Sequence, residues 1–187
     1  YASGYEPQKY GFLPGKGNYS SDDYAKLFLR YDADVSQQNK EGWTALDYAV
    51  QLDDDMAAMN LLLSYGAEVT PVVLSHALDF EGAYTHYQRI HKLVALLDSS
   101  QTSTILTPIF EAAIRGDNTR VQGLAAKTDL SEEEQLQTLC YAVAFCDAST
   151  VKLLLMSGFG TIQSIDAADN TLLQIAAMQN NTDVMNF

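Results

Sequence analysis

Residues 107–124 constrain the fold more than any other stretch. They read Thr-Pro-Ile-Phe-Glu-Ala-Ala-Ile-Arg-Gly-Asp-Asn-Thr-Arg-Val-Gln-Gly-Leu. Thr107 suits a helix N-cap, because its hydroxyl can accept from a free backbone N–H. Pro108 suits the next position, where a missing N–H costs nothing. Ala112 and Ala113 are small enough for neighbouring helices to approach closely. Gly116 can adopt the left-handed conformation that ends a helix. Val121 and Leu124, at i and i+3, then face back from a second helix.

The pattern recurs. Thr44-Ala45-Leu46-Asp47-Tyr48-Ala49-Val50 is followed by Leu62-Leu63 and Gly66-Ala67. Leu139-Cys140-Tyr141-Ala142-Val143 is followed by Val151, Leu154-Leu155 and Gly158. Thr171-Leu172-Leu173-Gln174-Ile175-Ala176-Ala177 begins a further copy that is cut short. Taking the Thr slot of the pattern as a marker gives positions 44, 107, 137 and 171, with separations of 63, 30 and 34 residues.

These residues resemble the ankyrin repeat, whose pattern runs Thr-Pro-Leu-His-x-Ala-Ala-x-x-Gly with a period of ~33 residues. The resemblance runs from about Tyr24 to the end of the sequence. It implies an all-α solenoid of stacked helix-turn-helix repeats joined by short β-hairpin turns. The 63-residue gap then holds two repeats. Leu74, Ala77 and Leu78 fit the inner helix of the missing one, and Ile90, Leu93, Leu96 and Leu97 its outer helix. The excess length between them predicts a protruding loop over 80–87. Before residue 37 an outer-helix signature remains, with Asp32-Ala33 where the family has Gly-Ala. The domain therefore divides into a half-repeat at 21–36, repeats at about 37–69, 70–101, 102–130 and 131–165, and a truncated repeat at 166–187. The last outer helix, from Thr182, lacks the family's paired Leu and is expected to fray or to be capped unusually. Residues 1–20, rich in Gly, Pro and Tyr, read as an extended arm that covers the first repeat's apolar edge.

Composition narrows the function. The chain of 187 residues carries 11 Lys and Arg against 24 Asp and Glu, for a net charge of −13. Phosphate neutralisation needs clustered Lys and Arg, so a nucleic-acid partner is disfavoured. No apolar run reaches the ~18 residues of a membrane span, so membrane insertion is not expected. Gly15-Lys16-Gly17 lacks the spacing of a phosphate loop. Cys140 and Cys146 lie six residues apart on one predicted helix. That is ~9 Å along the axis, beyond disulfide reach, which predicts two free thiols. His76, His86 and His91 have neither metal-ligand spacing nor a nearby nucleophile motif. Asp53-Asp54-Asp55 lacks a calcium-loop pattern. Ser131-Glu132-Glu133-Glu134 reads as a capping box. No catalytic, metal or cofactor-binding residue is assigned.

The resemblance implies a non-enzymatic module that binds proteins. The acidic charge points to a basic partner, and by analogy with bacterial ankyrin proteins to an inhibitor or immunity-type protein that occludes a basic enzyme. The alternatives are the targeting half of a larger effector or enzyme, and a structural adaptor. The compartment stays open: cytoplasmic, or periplasmic or secreted if an upstream signal peptide has been removed. Laid on the repeat, the concave face receives Trp43, Gln51 and Leu52, Phe80, then Leu106, Ile114 and Arg115, Leu136 and Phe145, and finally Asn170 and Met178. On this reading Trp43→Ala, Arg115→Ala and Phe145→Ala each weaken the complex by ~1–4 kcal/mol with the fold intact, as a binding assay on folded variants would show.

Overall fold

The computed structural model describes residues 21–52, 56–78, 86–127 and 129–186. The described residues are all-α. Their elements are α1 (Ser21–Arg30), α2 (Ala45–Leu52), α3 (Ala57–Ser64), α4 (Pro71–Leu78), α5 (His86–Leu96) and α6 (Ser99–Thr102). Then follow α7 (Pro108–Ile114), α8 (Asn118–Leu124), α9 (Glu132–Phe145), α10 (Ala148–Met156), α11 (Leu172–Met178) and α12 (Thr182–Met185). No strand occurs among them. A single antiparallel bridge joins Ile165 to Thr171, closing a tight turn in which Asp166 N–H donates to the Asn170 carbonyl at 2.9 Å.

Helix starts follow the capping residues. Ser131 Oγ accepts from Glu134 N, and the Glu134 carboxylate accepts from Ser131 N at 2.9 Å, as the sequence predicts. Thr171 and Gln174 make the same reciprocal pair at α11. Before α2 the reciprocal acceptor is Asp47, which takes the Thr44 N–H at 2.7 Å. Thr107 departs from expectation. Its backbone holds the N-cap conformation, but its hydroxyl makes no capping bond, and Pro108 has removed one N–H that would need a partner.

Helix ends follow the left-handed positions. Gly116 ends α7 at φ 68°, and Asn180 holds the same slot after α11 at φ 55°. Asp32, where the family has Gly, is left-handed at φ 58°. Asn and Asp tolerate this region better than other side chains do.

Helices pack in pairs and the pairs adjoin. α2 lies on α3, α4 on α5, α7 on α8, α9 on α10 and α11 on α12. Across pairs, α2 meets α4, α7 meets α9 and α9 meets α11. On the other side α1 meets α3, α8 meets α10 and α10 meets α12. The core is continuous through Ile109, Ala112, Ala113, Leu139, Ala142, Val143, Ile175 and Ala176, all fully buried. Small side chains at these contacts let the axes approach, and the larger Ile and Leu fill what remains.

The segment between α4 and α7 corrects two expectations. Ile90 and Leu93 are buried, as an outer helix requires, but the principal neighbours of α5 are α4 and α7, the helices expected to be inner. The expected loop over 80–87 also ends early. His86 and Tyr87 already belong to α5, and Tyr87 is buried. The remainder of that loop, the Asp53-Asp54-Asp55 segment and the arm at 1–20 lie outside the described residues.

Cys140 and Cys146 are free thiols, both buried. α12 is a single turn with no buried residue, as short as expected, but its N-cap is an ordinary one. The Asn181 side chain accepts from Val184 N, while its amide donates to the carbonyls of Val143 and Cys146 at 2.9 and 2.8 Å. One side chain thus starts α12 and ties it to the end of α9.

Two glycines separate backbone strain from packing. Gly66 and Gly116 both have positive φ, but a Cβ at Gly66 would meet nothing, whereas one at Gly116 would sit 2.7 Å from the Phe145 carbonyl oxygen. Gly66→Ala is expected to cost ~1–2 kcal/mol from the left-handed backbone alone. Gly116→Ala costs more, because the end of α9 must also move. Urea unfolding of the two variants checks the order, and equal costs would show that α7 and α9 are not in close backbone contact there.

Candidate interaction face

Three side-chain clusters tie the helices together, and the residues predicted for a binding face belong largely to them. The first centres on Glu111, which is buried on α7. Its Oε1 accepts from Thr102 Oγ1 at 2.8 Å, Ser99 Oγ at 2.9 Å and Arg115 Nε at 3.0 Å. Its Oε2 meets Arg120 Nη1 at 3.0 Å. Arg115 also donates from Nη2 to the Leu97 carbonyl at 2.9 Å. One carboxylate therefore joins α6, α7 and α8. Burial is the largest single influence on its acidity and pushes the pKa up. The bonds from Thr102, Ser99 and Arg115 and the charge of Arg120 together outweigh it and hold the pKa below 4.5.

The second cluster joins α2 to α4. Asp47 is buried and accepts from Thr44 N and Thr44 Oγ1, each at 2.7 Å. Its other oxygen lies 2.9 Å from His76 Nδ1. A carboxylate only accepts, so Nδ1 carries the proton. Burial raises the Asp47 pKa most strongly, but the Thr44 and His76 bonds prevail and keep it below 3.8. The His76 ring stacks on Trp43 with centroids 4.3 Å apart, and Trp43 is tilted against Tyr48 at 5.1 Å. Gln51 Nε2 donates to the His76 carbonyl at 3.4 Å.

The third cluster lays α5 against α9. Tyr87 and His91, one turn apart, meet Tyr141 and Phe145, also one turn apart. Ring centroids are 4.8 Å for Tyr87 with Tyr141 and 4.5 Å for His91 with Phe145. Phe110 of α7 contacts Tyr141 edge-on at 5.2 Å. His91 Nδ1 lies 2.6 Å from the Ile114 carbonyl, so it is the donor there. Tyr87 OH donates to Asp166 Oδ2 at 2.9 Å. Burial, with the nearby Cys140 and Asp166, raises the Tyr87 pKa and keeps the phenol protonated. Burial likewise pushes the Cys140 and Cys146 thiols up to about 12. They are neutral at physiological pH and poor nucleophiles.

The eleven predicted face residues divide as follows. Leu106 and Ile114 are buried core residues, which removes them from any surface. The slot after Ala112-Ala113 is covered here, because His91 reaches the Ile114 carbonyl from α5. Arg115 is half-buried and committed to Glu111 and Leu97, so truncating it disturbs the fold as well as any surface. Phe145 is half-buried beneath His91. Trp43 and Gln51 are half-buried in the His76 cluster. Asn170 is half-buried and donates to Asp166 Oδ2 at 3.1 Å. Leu136 and Met178 are partly buried against the core. Leu52 is placed by its backbone alone, and Phe80 lies outside the described residues.

Sequence reasoning missed Tyr87, His91 and the Asp47–His76 and Glu111–Arg115 pairs. Signals existed: Tyr87/His91, Tyr141/Phe145 and Glu111/Arg115 all have i, i+4 spacing, which puts both members on one helix face. Among the described residues no group of His, Cys, Asp or Glu is arranged to hold a metal ion, and no helix is long and apolar enough to cross a membrane. Compared with family models, curated proteins and solved structures, the chain matches none.

The two buried carboxylates, both with lowered pKa, predict acid sensitivity. A group whose folded pKa is below its unfolded value stabilises the fold above the unfolded value, and the benefit is lost as pH falls through the folded one. Stability contributed by Glu111 and Asp47 is therefore full above pH 4.5 and 3.8 respectively, and declines at lower pH. Glu111→Gln is expected to cost ~1–3 kcal/mol at neutral pH and to flatten the acid limb. Melting temperatures of both proteins across the acid range check this; parallel curves would mean that Glu111 does not titrate differently on folding.

Proposed function

We propose that the chain is an ankyrin-repeat solenoid that works as a non-enzymatic protein-binding module for a basic partner. The observation that carries this reading is the coincidence of sequence slots with structural events. The capping slots at 44, 107 and 171 open α2, α7 and α11. The closing slots at Gly116 and Asn180 are left-handed. The slot at 137 falls inside α9, which is capped at Ser131 instead, but α9 still adjoins α7 on one side and α11 on the other. Stacks of this kind present an extended surface, and binding other proteins is their usual work. That step is an analogy of architecture, and the site must carry the rest.

The net charge of −13 supports a basic partner, such as an enzyme occluded by this chain. Trp43, Leu136, Phe145 and Met178 are each partly exposed and supply apolar anchors.

The test is capture of partners by the immobilised chain, identification by mass spectrometry, and affinity measurement with the purified partner. One stoichiometric basic partner is expected, with affinity that weakens as salt screens the attraction. Trp43→Ala and Met178→Ala should each cost ~1–4 kcal/mol of binding, with melting temperature as the control for folding. Unchanged affinity for both would refute the assignment of this face.

A further inference from the structure

The turn ahead of α2 gathers a carboxylate, a phenol and an indole around one side chain, that of Asn39. Its Oδ1 accepts from Glu41 N and Trp43 N, each at 2.9 Å. Its backbone N–H donates to the Trp43 carbonyl at 2.9 Å, which closes the turn. Its Nδ2 then donates to two groups at once, Glu41 Oε2 at 3.0 Å and Tyr48 OH at 2.9 Å. The carboxylate and the phenol are thereby held beside one another. Trp43 is braced in turn, with Tyr48 tilted against it and the His76 ring stacked on it. The indole is still only half-buried, and Tyr48 is 42% exposed.

Glu41 differs from the carboxylate that ties α6, α7 and α8 together. Glu111 is buried and meets Arg115 and Arg120 of its own chain. Glu41 is exposed, and among the described residues no Lys or Arg pairs with it, its neighbour Lys40 included. Its Oε2 takes the Asn39 amide, and its Oε1 accepts from nothing among those residues. Behind the rings, the buried Asp47 carboxylate bonds to His76 and adds a second negative charge. A carboxylate fixed in place beside a braced aromatic pair has its ordering cost already met before any guest arrives.

We propose that this turn receives an arginine side chain of the partner, its guanidinium bonded to the Glu41 carboxylate and laid against the Trp43 and Tyr48 rings. A guanidinium is planar, offers donors in a fork that matches a carboxylate, stacks on aromatic rings and sheds water more readily than an ammonium does. The net charge of −13 favours the approach of such a group. The inference rests on the protein-binding reading above and narrows it to the chemistry of the guest.

Trp43 is the one tryptophan of the chain, so its fluorescence reports on the site directly. The probe is an acetylated, amidated tripeptide with a central arginine, titrated at constant ionic strength. The expected result is a saturable change in Trp43 emission, with a dissociation constant on the order of 1 mM. The same peptide carrying citrulline, the neutral isostere, should bind at least about fivefold more weakly. Glu41→Gln should weaken the arginine peptide at least about threefold. Glu132→Gln, at an exposed position on α9, removes the same charge and should leave binding unchanged. Circular dichroism confirms that both variants stay folded. No saturable signal, equal responses to arginine and citrulline, or equal losses in the two variants would overturn the proposal. The peptide needs no partner protein, so the two readings fail separately. Failure to capture a partner strikes the protein-binding reading, whereas a captured partner with a silent peptide titration strikes this site alone.

Discussion

Helices of seven or eight residues do not persist alone in water, because nucleation is costly and few hydrogen bonds follow it. α2, α3 and α4 have eight residues, and α7, α8 and α11 have seven. Each exists because a neighbour removes its apolar side from water. That dependence explains the alanines and Val143 where α7, α9 and α11 meet. A short helix has few side chains with which to reach its partner, so the axes must come close. Gly116 expresses the same constraint at the level of the backbone. Its Cα lies so near the Phe145 carbonyl that a single added methyl would collide.

Close packing of short helices leaves polar ends inside the structure, and the polar clusters answer that problem. Glu111 satisfies Ser99, Thr102, Arg115 and Arg120 at once. Asn181 serves the end of α9 and the start of α12. Buried Arg89 donates from Nη1 to the Val50 carbonyl at 2.7 Å, in the last turn of α2, where carbonyls lack helical partners and positive charge is favoured. These groups contribute less through net attraction than through the penalty of leaving any of them unmatched. They also fix which helix ends adjoin, which apolar contact alone does not specify.

What the sequence made legible follows from locality. The Ser131–Glu134 box and the unpaired thiols depend on residues a few positions apart, and the structure has them as read. The placement of α5 was not legible. Ile90 and Leu93 announce an apolar stripe but not which helix will cover it. Tyr87 and His91 add a second stripe, and aromatic residues serve core and surface alike. Ile114 illustrates the same limit. A repeat pattern marks it as outward-facing, yet a helix laid over the slot by the intervening segment turns it into core. The candidate face was therefore only partly readable, because its exposure depends on a non-local contact.

The aromatic ladder has a consequence for any binding role. Phe145 and Tyr141 sit on the side of α9 that α5 already contacts, and His91 is held there by both ring stacking and the Ile114 carbonyl. A partner reaching for Phe145 must either share it with His91 or displace α5. Displacement would expose Tyr87, which is buried and bonded to Asp166, and Leu93, which is fully buried. Each such side chain costs roughly 1.5–3 kcal/mol to return to water, which is comparable to what a single interfacial hot spot supplies. A partner that leaves α5 in place therefore has the thermodynamic advantage. On the proposed binding role, its anchors would lie to either side of the ladder, at Trp43 near one end of the helix array and at Met178 near the other.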